Sequence, residues 1–277
     1  MLIDLPASII AIVMAAGAVA GCLGALLGIG GGVFLVPFLN VGMGLSWPMA
    51  SGVSLMTVIA TSSVVSAKPA GRRLINLRLA MLLQLAAGIG ALIGGLTVKG
   101  LPVIFLNLVF ACVTAMIAVI MLSRLDRRNV IFDTSVDPGR LGGRFYEEES
   151  GREVIYRTRR LPAAVVVSVA GGLVSGLLGI GGGILQVPAL NAWCGVPLRA
   201  AAATSTLMIG ITAAASAPLY FARGDVSAPL AGAAVLGVLV GSQAGLWFGG
   251  RARVKWLKLL MAAVLAGVSA TYFFRAL

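Results

Sequence analysis

The stretch Leu26-Leu27-Gly28-Ile29-Gly30-Gly31-Gly32 interrupts an apolar run, and the same seven letters, LLGIGGG, return at Leu177–Gly183. Each copy ends in four glycines out of five residues. A short apolar segment with a proline follows each one: Val33-Phe34-Leu35-Val36-Pro37 and Ile184-Leu185-Gln186-Val187-Pro188. Glycine admits tight or left-handed backbone at low steric cost, so each run reads as a break between helices. A dinucleotide or P-loop reading fails, because no strand precedes the runs and no Lys-Ser/Thr follows them.

The surroundings of the breaks set the class. The 277 residues are 59% hydrophobic and 11% charged, against roughly a quarter charged in a soluble domain. Apolar runs of spanning length recur at Ala7–Leu27, Met49–Ala67, Arg78–Thr97 and Leu101–Leu122, then at Pro162–Leu178, Ala200–Ala222, Ala228–Gly249 and Val254–Phe274. A helix needs about 20 such residues to cross the hydrocarbon, which predicts an all-α integral membrane protein with about eight spans plus Gly-broken return segments. The short alternating strands of a β-barrel are absent from the pattern.

Sliding the sequence by 151 residues aligns the halves without a gap from Gly21 on Gly172 to the C-terminus. Val36-Pro37 fall on Val187-Pro188, Leu39-Asn40 on Leu190-Asn191, Ser54 on Ser205, Thr61 on Thr212 and Arg72 on Arg223. Shared Gly, Pro and Asn in one register mark two homologous repeats of four to five hydrophobic segments each. The chain divides into repeat 1 (1–122), a charged linker (123–161) and repeat 2 (162–277). The linker holds nine of the 21 basic residues and seven of the nine acids, with turn signals at Asp137-Pro138-Gly139 and a charge run at Glu147-Glu148-Glu149. It reads as a solvated connector on the cytoplasmic side, with a regulatory or docking role as its alternative.

The charges also bear on orientation. Four simple crossings per half divide Lys and Arg 15 to six, whereas a chain that turns back at each GIGGG divides them 18 to three. The positive-inside rule favours the second count, and with it inverted repeats around discontinuous helices. The net charge of +12 thus belongs to loops between spans, with no stacking-aromatic and basic groove for nucleic acid.

Uncovered N–H groups at the start of a helix, with its dipole, make a local anion site. Nonhelical backbone at membrane depth persists only where it is protein-buried or lines a cavity. Two breaks related by a pseudo-two-fold are therefore expected to converge as a paired anion cradle. One side is Gly28, Gly30, Gly31 and Gly32; the other is Gly179, Gly181, Gly182 and Gly183. Pro37 and Pro188, then Asn40 and Asn191, follow at matching positions, and Gln186 stands where the first repeat has Leu35. Ser54, Thr204 and Ser205 supply hydroxyls near the start of the next helix. The alternative for such hydroxyls is a bond to their own helix backbone, the preferred reading for Thr61 and Thr212. Gly90/Gly94 and Gly241/Gly245, spaced by four, read as helix-packing positions.

There is no His, and outside the linker the acids are Asp4 and Asp225. No carboxylate is therefore placed at membrane depth to relay protons or hold a cation. Metal ligands, nucleophile–base pairs and acid pairs are missing from the spans, so neither an enzyme nor a cofactor is expected. Cys22, Cys112 and Cys194 are scattered without a CxxC, which supports neither a disulfide framework nor a zinc site.

The duplicated GIGGGxxxxPxLN unit, followed by a Thr/Ser-rich helix, resembles the sulfite exporter TauE/SafE family of membrane transporters. Tyr220-Phe221-Ala222-Arg223-Gly224-Asp225-Val226 is similar to its second-half pattern. The resemblance implies a multi-pass carrier of the bacterial inner membrane for small sulfur-containing anions such as sulfite, sulfonates and sulfoacetate. It also implies that the Gly runs, Pro37/Pro188 and Asn40/Asn191 form the functional centre. An anion channel on the same cradle, and a membrane sensor or assembly factor acting through the linker, stand as alternatives. The expected partners are the lipid bilayer and a small anion, with a homo-oligomer left open and no nucleic acid.

The 18-to-three division places both termini outside and the linker inside. Cysteine labelling or reporter fusions at Met1 and Leu277 are expected to find both ends external; a cytoplasmic C-terminus rejects the inverted arrangement.

Overall fold

The computed structural model describes residues 6–27, 30–68, 74–123, 139–147, 152–249 and 254–276. Helices form on the apolar runs of the sequence. The first half gives α1 (Ala7–Leu27), α2 (Gly32–Pro37, continued by a π-helical turn Phe38–Gly42), α3 (Trp47–Ala67), α4 (Leu77–Thr97) and α5 (Val103–Ser123). The second gives α6 (Leu161–Leu178), α7 (Gly183–Ala192), α8 (Leu198–Ala222), α9 (Ala228–Gly249) and α10 (Val254–Ala276). Local chemistry sets their ends. Pro48 and Pro162 sit in the first turns of α3 and α6, where the missing N–H costs nothing. Gly179 closes α6 in the left-handed region at φ +70°, the usual glycine stop.

Among the described residues six helices have the length and apolarity to cross a membrane: Ala7–Leu26, Trp47–Ala67, Leu77–Gly100, Leu161–Leu178, Arg199–Ala222 and Ala228–Phe248. α5 and α10 have 21 and 23 residues, with shorter described apolar stretches at Val103–Met116 and Ala262–Arg275. Large apolar side chains face outward along α4 at every fourth residue: Leu77, Met81 (68% exposed), Leu85 (75%) and Ile89. Such a stripe is stable only against lipid or a partner.

Each long helix finds a partner in the other half of the chain. α1 packs on α9 and α6 on α4; α3 packs on α8 and α5 on α10; α4 also touches α8, and α3 touches α9. The closest approaches are made by glycine. A β-carbon on Gly17 or Gly21 would collide with the backbone of Ala234 or Val238, and one on Gly241 or Gly245 with the backbone of Ala18 or Cys22. On the other side Gly90 and Gly94 lie on the backbone of Val169 and Leu173, and Gly172 and Gly176 on that of Ala87 and Ala91. Residue numbers rise together across both seams, so α1 runs parallel to α9 and α4 to α6. Small residues let the backbones touch, which is how helices associate where water supplies no drive.

The described part of the linker packs as a hairpin against the otherwise helical chain. Gly143–Glu147 (β1) and Arg152–Tyr156 (β2) pair antiparallel, with Gly143 opposite Tyr156. Phe145, Val154 and Tyr156 are buried against Leu79, Leu83, Leu190 and Ala200, while Arg144 and Glu153 face out. In β2 three consecutive residues, Val154, Ile155 and Tyr156, are buried, so no period-two alternation stood out from the charge around them. Of the turn and charge signals, Asp137, Pro138, Glu148 and Glu149 lie outside the described residues.

Asn76 ties the hairpin to the helices. Its Oδ1 accepts from Leu79 N (3.1 Å), capping α4; its N donates to Thr204 Oγ1 (3.0 Å). Its Nδ2 donates to Leu141 O (2.9 Å) and to the Tyr156 hydroxyl oxygen (3.2 Å). Burial pushes the Tyr156 phenol up, against a smaller downward pull from Asn76. Thr158 Oγ1 also donates to Leu141 O, and Arg159 N to Cys194 O. The hairpin is thus part of the packed body.

Loss of a side-chain cap costs about 1 kcal/mol, and each buried hydrogen bond about as much again. Asn76→Ala is expected to lower the melting temperature in detergent and to speed protease nicking between 139 and 158. An unchanged melt and digestion pattern would show the hairpin to be detached.

Candidate functional site

Both breaks close on one pair of side chains. A β-carbon on Gly30 would stand 3.5 Å from Ile209 Cγ2 and 3.6 Å from Val58 Cγ1; one on Gly181 would stand 2.5 Å and 3.0 Å from the same two atoms. Val58 falls on Ile209 under the 151-residue shift, and both are buried at the α3–α8 contact. Gly30 (φ +80°) and Gly181 (φ +71°) are both left-handed, a conformation that residues with a β-carbon adopt at a cost. The backbone angle calls for glycine at both positions, and close approach calls for it a second time at Gly181. Gly28 lies outside the described residues.

The hydroxyls of α3 and α8 stitch the breaks in place. Ser54 Oγ donates to Gly179 O at 2.6 Å, so a side chain of the first half holds a carbonyl in the break of the second. Its counterpart Ser205 lies 3.5 Å from Gly183 O and from Gln186 Oε1. A β-carbon on Gly32 would sit 2.7 Å from Ser54 Oγ, and one on Gly183 would sit 3.0 Å from Ser205 Oγ. The two breaks, Ser54, Ser205 and Gln186 therefore meet at one crossing.

Other expected members lie elsewhere. Asn40 Nδ2 donates to Leu45 O (2.8 Å) and Asn191 Nδ2 to Val196 O (2.9 Å), so each asparagine closes the loop after its broken helix. Tyr272 donates to Asn40 Oδ1 at 3.3 Å. Thr204 accepts from Asn76 N. Pro37 and Pro188 lie inside the short helices. Gly31 and Gly182 face away from the crossing: their β-carbons would meet Ala20 O at 3.0 Å and Gly171 O at 2.5 Å, which seats the breaks on α1 and α6. Thr61 and Thr212 donate to Thr57 O and Met208 O of their own helices, as expected.

The two sides of the crossing differ in one buried side chain. Gln186 is 2% exposed, and its Nε2 has no hydrogen-bond partner. Among the described residues the N–H groups of Gly181, Gly182 and Gly183 have no backbone acceptor. Leu35 holds the equivalent place in the first half and is fully buried. A second glutamine, Gln84 on α4, reaches Thr212; with its amide turned, Nε2 donates to Met208 O and Oε1 accepts from Thr212 N, both at 3.0 Å. An unpaired buried donor costs about 1–3 kcal/mol. Gln186 is the one of the two that invites an acceptor from outside the chain.

At the opposite end the Tyr220–Val226 stretch acts as an anchor. Tyr220 donates to Gly176 O at 2.6 Å, Arg223 donates to Gly95 O near the last turn of α4, and Lys99 pairs with Asp225 at 3.2 Å. Sequence reading missed Asn76, Val58, Ile209 and Gln84. The 151-residue register could have found Val58 and Ile209 as a matched pair.

Discontinuous helices that meet between packed spans, with neutral donors and without carboxylates, define a polytopic membrane transporter. The model of the sulfite exporter TauE/SafE family matches residues 13–272, and the chain belongs to that family. It is 23% identical over 261 residues to "Probable membrane transporter protein YunE" of Bacillus subtilis (strain 168), covering 92% of this chain and 93% of that one. No solved structure matches.

Overpacking against a fixed backbone costs about 1–3 kcal/mol. Gly182→Ala is expected to lower thermal stability in detergent, because its β-carbon meets Gly171 O. Gly232→Ala, whose β-carbon meets nothing within 4 Å, should melt at or above wild type. Equal melting of the two would show that the break does not seat on α6.

Proposed function

We propose that the protein is a secondary carrier that moves a small oxyanion, sulfite or a sulfonate, across the bacterial inner membrane by alternating access at the crossing of its two breaks. The observation that carries this reading is the orphaned, buried Gln186 Nε2, on the helix that starts at the second break and with its amide oxygen 3.5 Å from Ser205 Oγ. Neutral donors suit a sulfur oxyanion, whose oxygens accept from several directions. Among the described residues no carboxylate stands at the crossing to repel it. The family supplies the substrate class.

The exchange of partners between halves, α1 with α9 against α6 with α4, supports two inverted five-helix repeats, 1–122 and 162–277, joined by residues 123–161. Under the charge rule, the end that carries the hairpin, Asn76 and Arg199 is cytoplasmic. Val58 and Ile209 then act as the apolar plug between the two faces. Movement of α3 against α8 would uncover the break donors on alternate sides, as in other carriers with broken helices.

Gln186→Leu copies the first repeat into the second and tests the site without creating a cavity. Stability should hold or rise, since an unpaired buried donor is removed. Sulfite or sulfonate affinity, measured on the purified protein, should fall by about tenfold, the equivalent of one lost hydrogen bond of about 1.4 kcal/mol. Saturable counterflow in proteoliposomes distinguishes a carrier from a channel. Unchanged anion affinity in the folded variant would remove Gln186 from the site.

A further inference from the structure

A cleft of about 260 Å³ opens where β1 meets the start of α4, lined by Leu74, Ile75, Asn76, Leu77, Arg78, Arg144 and Tyr156 among others. We propose that it seats the phosphate of an anionic lipid headgroup, with the acyl chains laid along the Leu77–Met81–Leu85 stripe of α4.

Three independent features converge on this occupant. First, Arg78 and Arg144 stand on opposite walls, one on the helix and one on the hairpin, and both are exposed. Among the described residues neither side chain has an ion-pair or hydrogen-bond partner. Two guanidinium groups in a cleft whose described lining holds no carboxylate select a phosphate, which they can hold through paired N–H donors. Second, Leu77 belongs both to the cleft and to the outward stripe of α4. The cationic seat is thus continuous with a lipid-facing surface, as an amphiphile requires and a free anion does not. Third, the volume falls below the roughly 300–1,000 Å³ of drug-sized ligand sites, room for a headgroup with its tails outside.

The walls are set before any lipid arrives. Asn76 is held by Thr204, Leu141 and Tyr156, and Phe145 is anchored in the core beneath the strand. A lipid bridging Arg78 and Arg144 would fasten the hairpin to α4 through the same seam as Asn76.

The test uses the full-length protein, purified and stripped of lipid in detergent. Its melting temperature is titrated with phosphatidylglycerol, phosphatidylcholine and inorganic phosphate, with native mass spectrometry counting retained lipid. Phosphatidylglycerol should stabilise the wild type and remain bound; phosphatidylcholine and inorganic phosphate should do neither. In R78Q/R144Q the phosphatidylglycerol midpoint should rise about 30-fold, the worth of two surface arginines. R144Q alone, on an exposed strand position, carries the comparison where the double variant does not fold. An equal phosphatidylglycerol response in the arginine variants overturns the site. A response reproduced by inorganic phosphate makes it a soluble-anion site and overturns the lipid. Gln186→Leu should keep the lipid response, so loss of substrate binding there and loss of lipid here are separate results.

Discussion

The hydrogen bond from Ser54 to Gly179 O, with Val58 and Ile209 packed beside it, is the contact on which the rest of the molecule depends. Backbone that leaves the helical path at membrane depth must find partners inside the protein. One hydroxyl from the first half supplies such a partner to the second, at a place where glycine alone can approach closely enough. The parallel seams of α1 with α9 and α4 with α6 then follow, because each broken helix must be clamped by glycine-lined neighbours that bring backbone against backbone. The breaks are held from both sides: Gly31 and Gly182 rest on α1 and α6, while Gly30 and Gly181 face α3 and α8.

Positions matched by the 151-residue shift take corresponding places around the crossing, yet its centre is unsymmetrical. Leu35 against Gln186, and Val53 against Thr204, are matched positions at which the second half is the polar one. The cost of burying an unpaired amide in Gln186 falls only on that half. The matched helices thus frame a crossing whose unpaired side-chain donor stands on one side only. The same asymmetry extends to the surface, where Asn76, the hairpin and Arg144 gather against the starts of α4 and α8.

The hairpin changes how the linker is understood. Most charged residues of the chain lie in this segment, which hides the buried side chains of Phe145, Val154, Ile155 and Tyr156. Its connection to Asn76 means that the N-cap of α4, the turn at Leu141 and the loop at Cys194 form one unit. At the other end of the same helix, Arg223 and the Lys99–Asp225 pair fix the final turn. α4 is therefore held at both ends while its middle packs on α6 backbone to backbone through glycines.

The sequence by itself determined the membrane class, the places of the long helices, the two breaks and their register, and the packing glycines. Each of these is a local property: apolar runs of bilayer length, glycine where a β-carbon cannot go, and a shift of 151 residues that keeps Pro on Pro and Asn on Asn. Tertiary structure decided which of the expected site residues keep an unpaired polar group. Asn40, Asn191, Ser54 and Thr204 read in the sequence as free donors or acceptors, yet each is engaged by a carbonyl or an N–H, some of them more than 100 residues away along the chain. Gln186 read as an accessory and is the unpaired one. Hydrogen-bond satisfaction is a property of neighbours in space, and no spacing along a chain reveals which amide will be left without one.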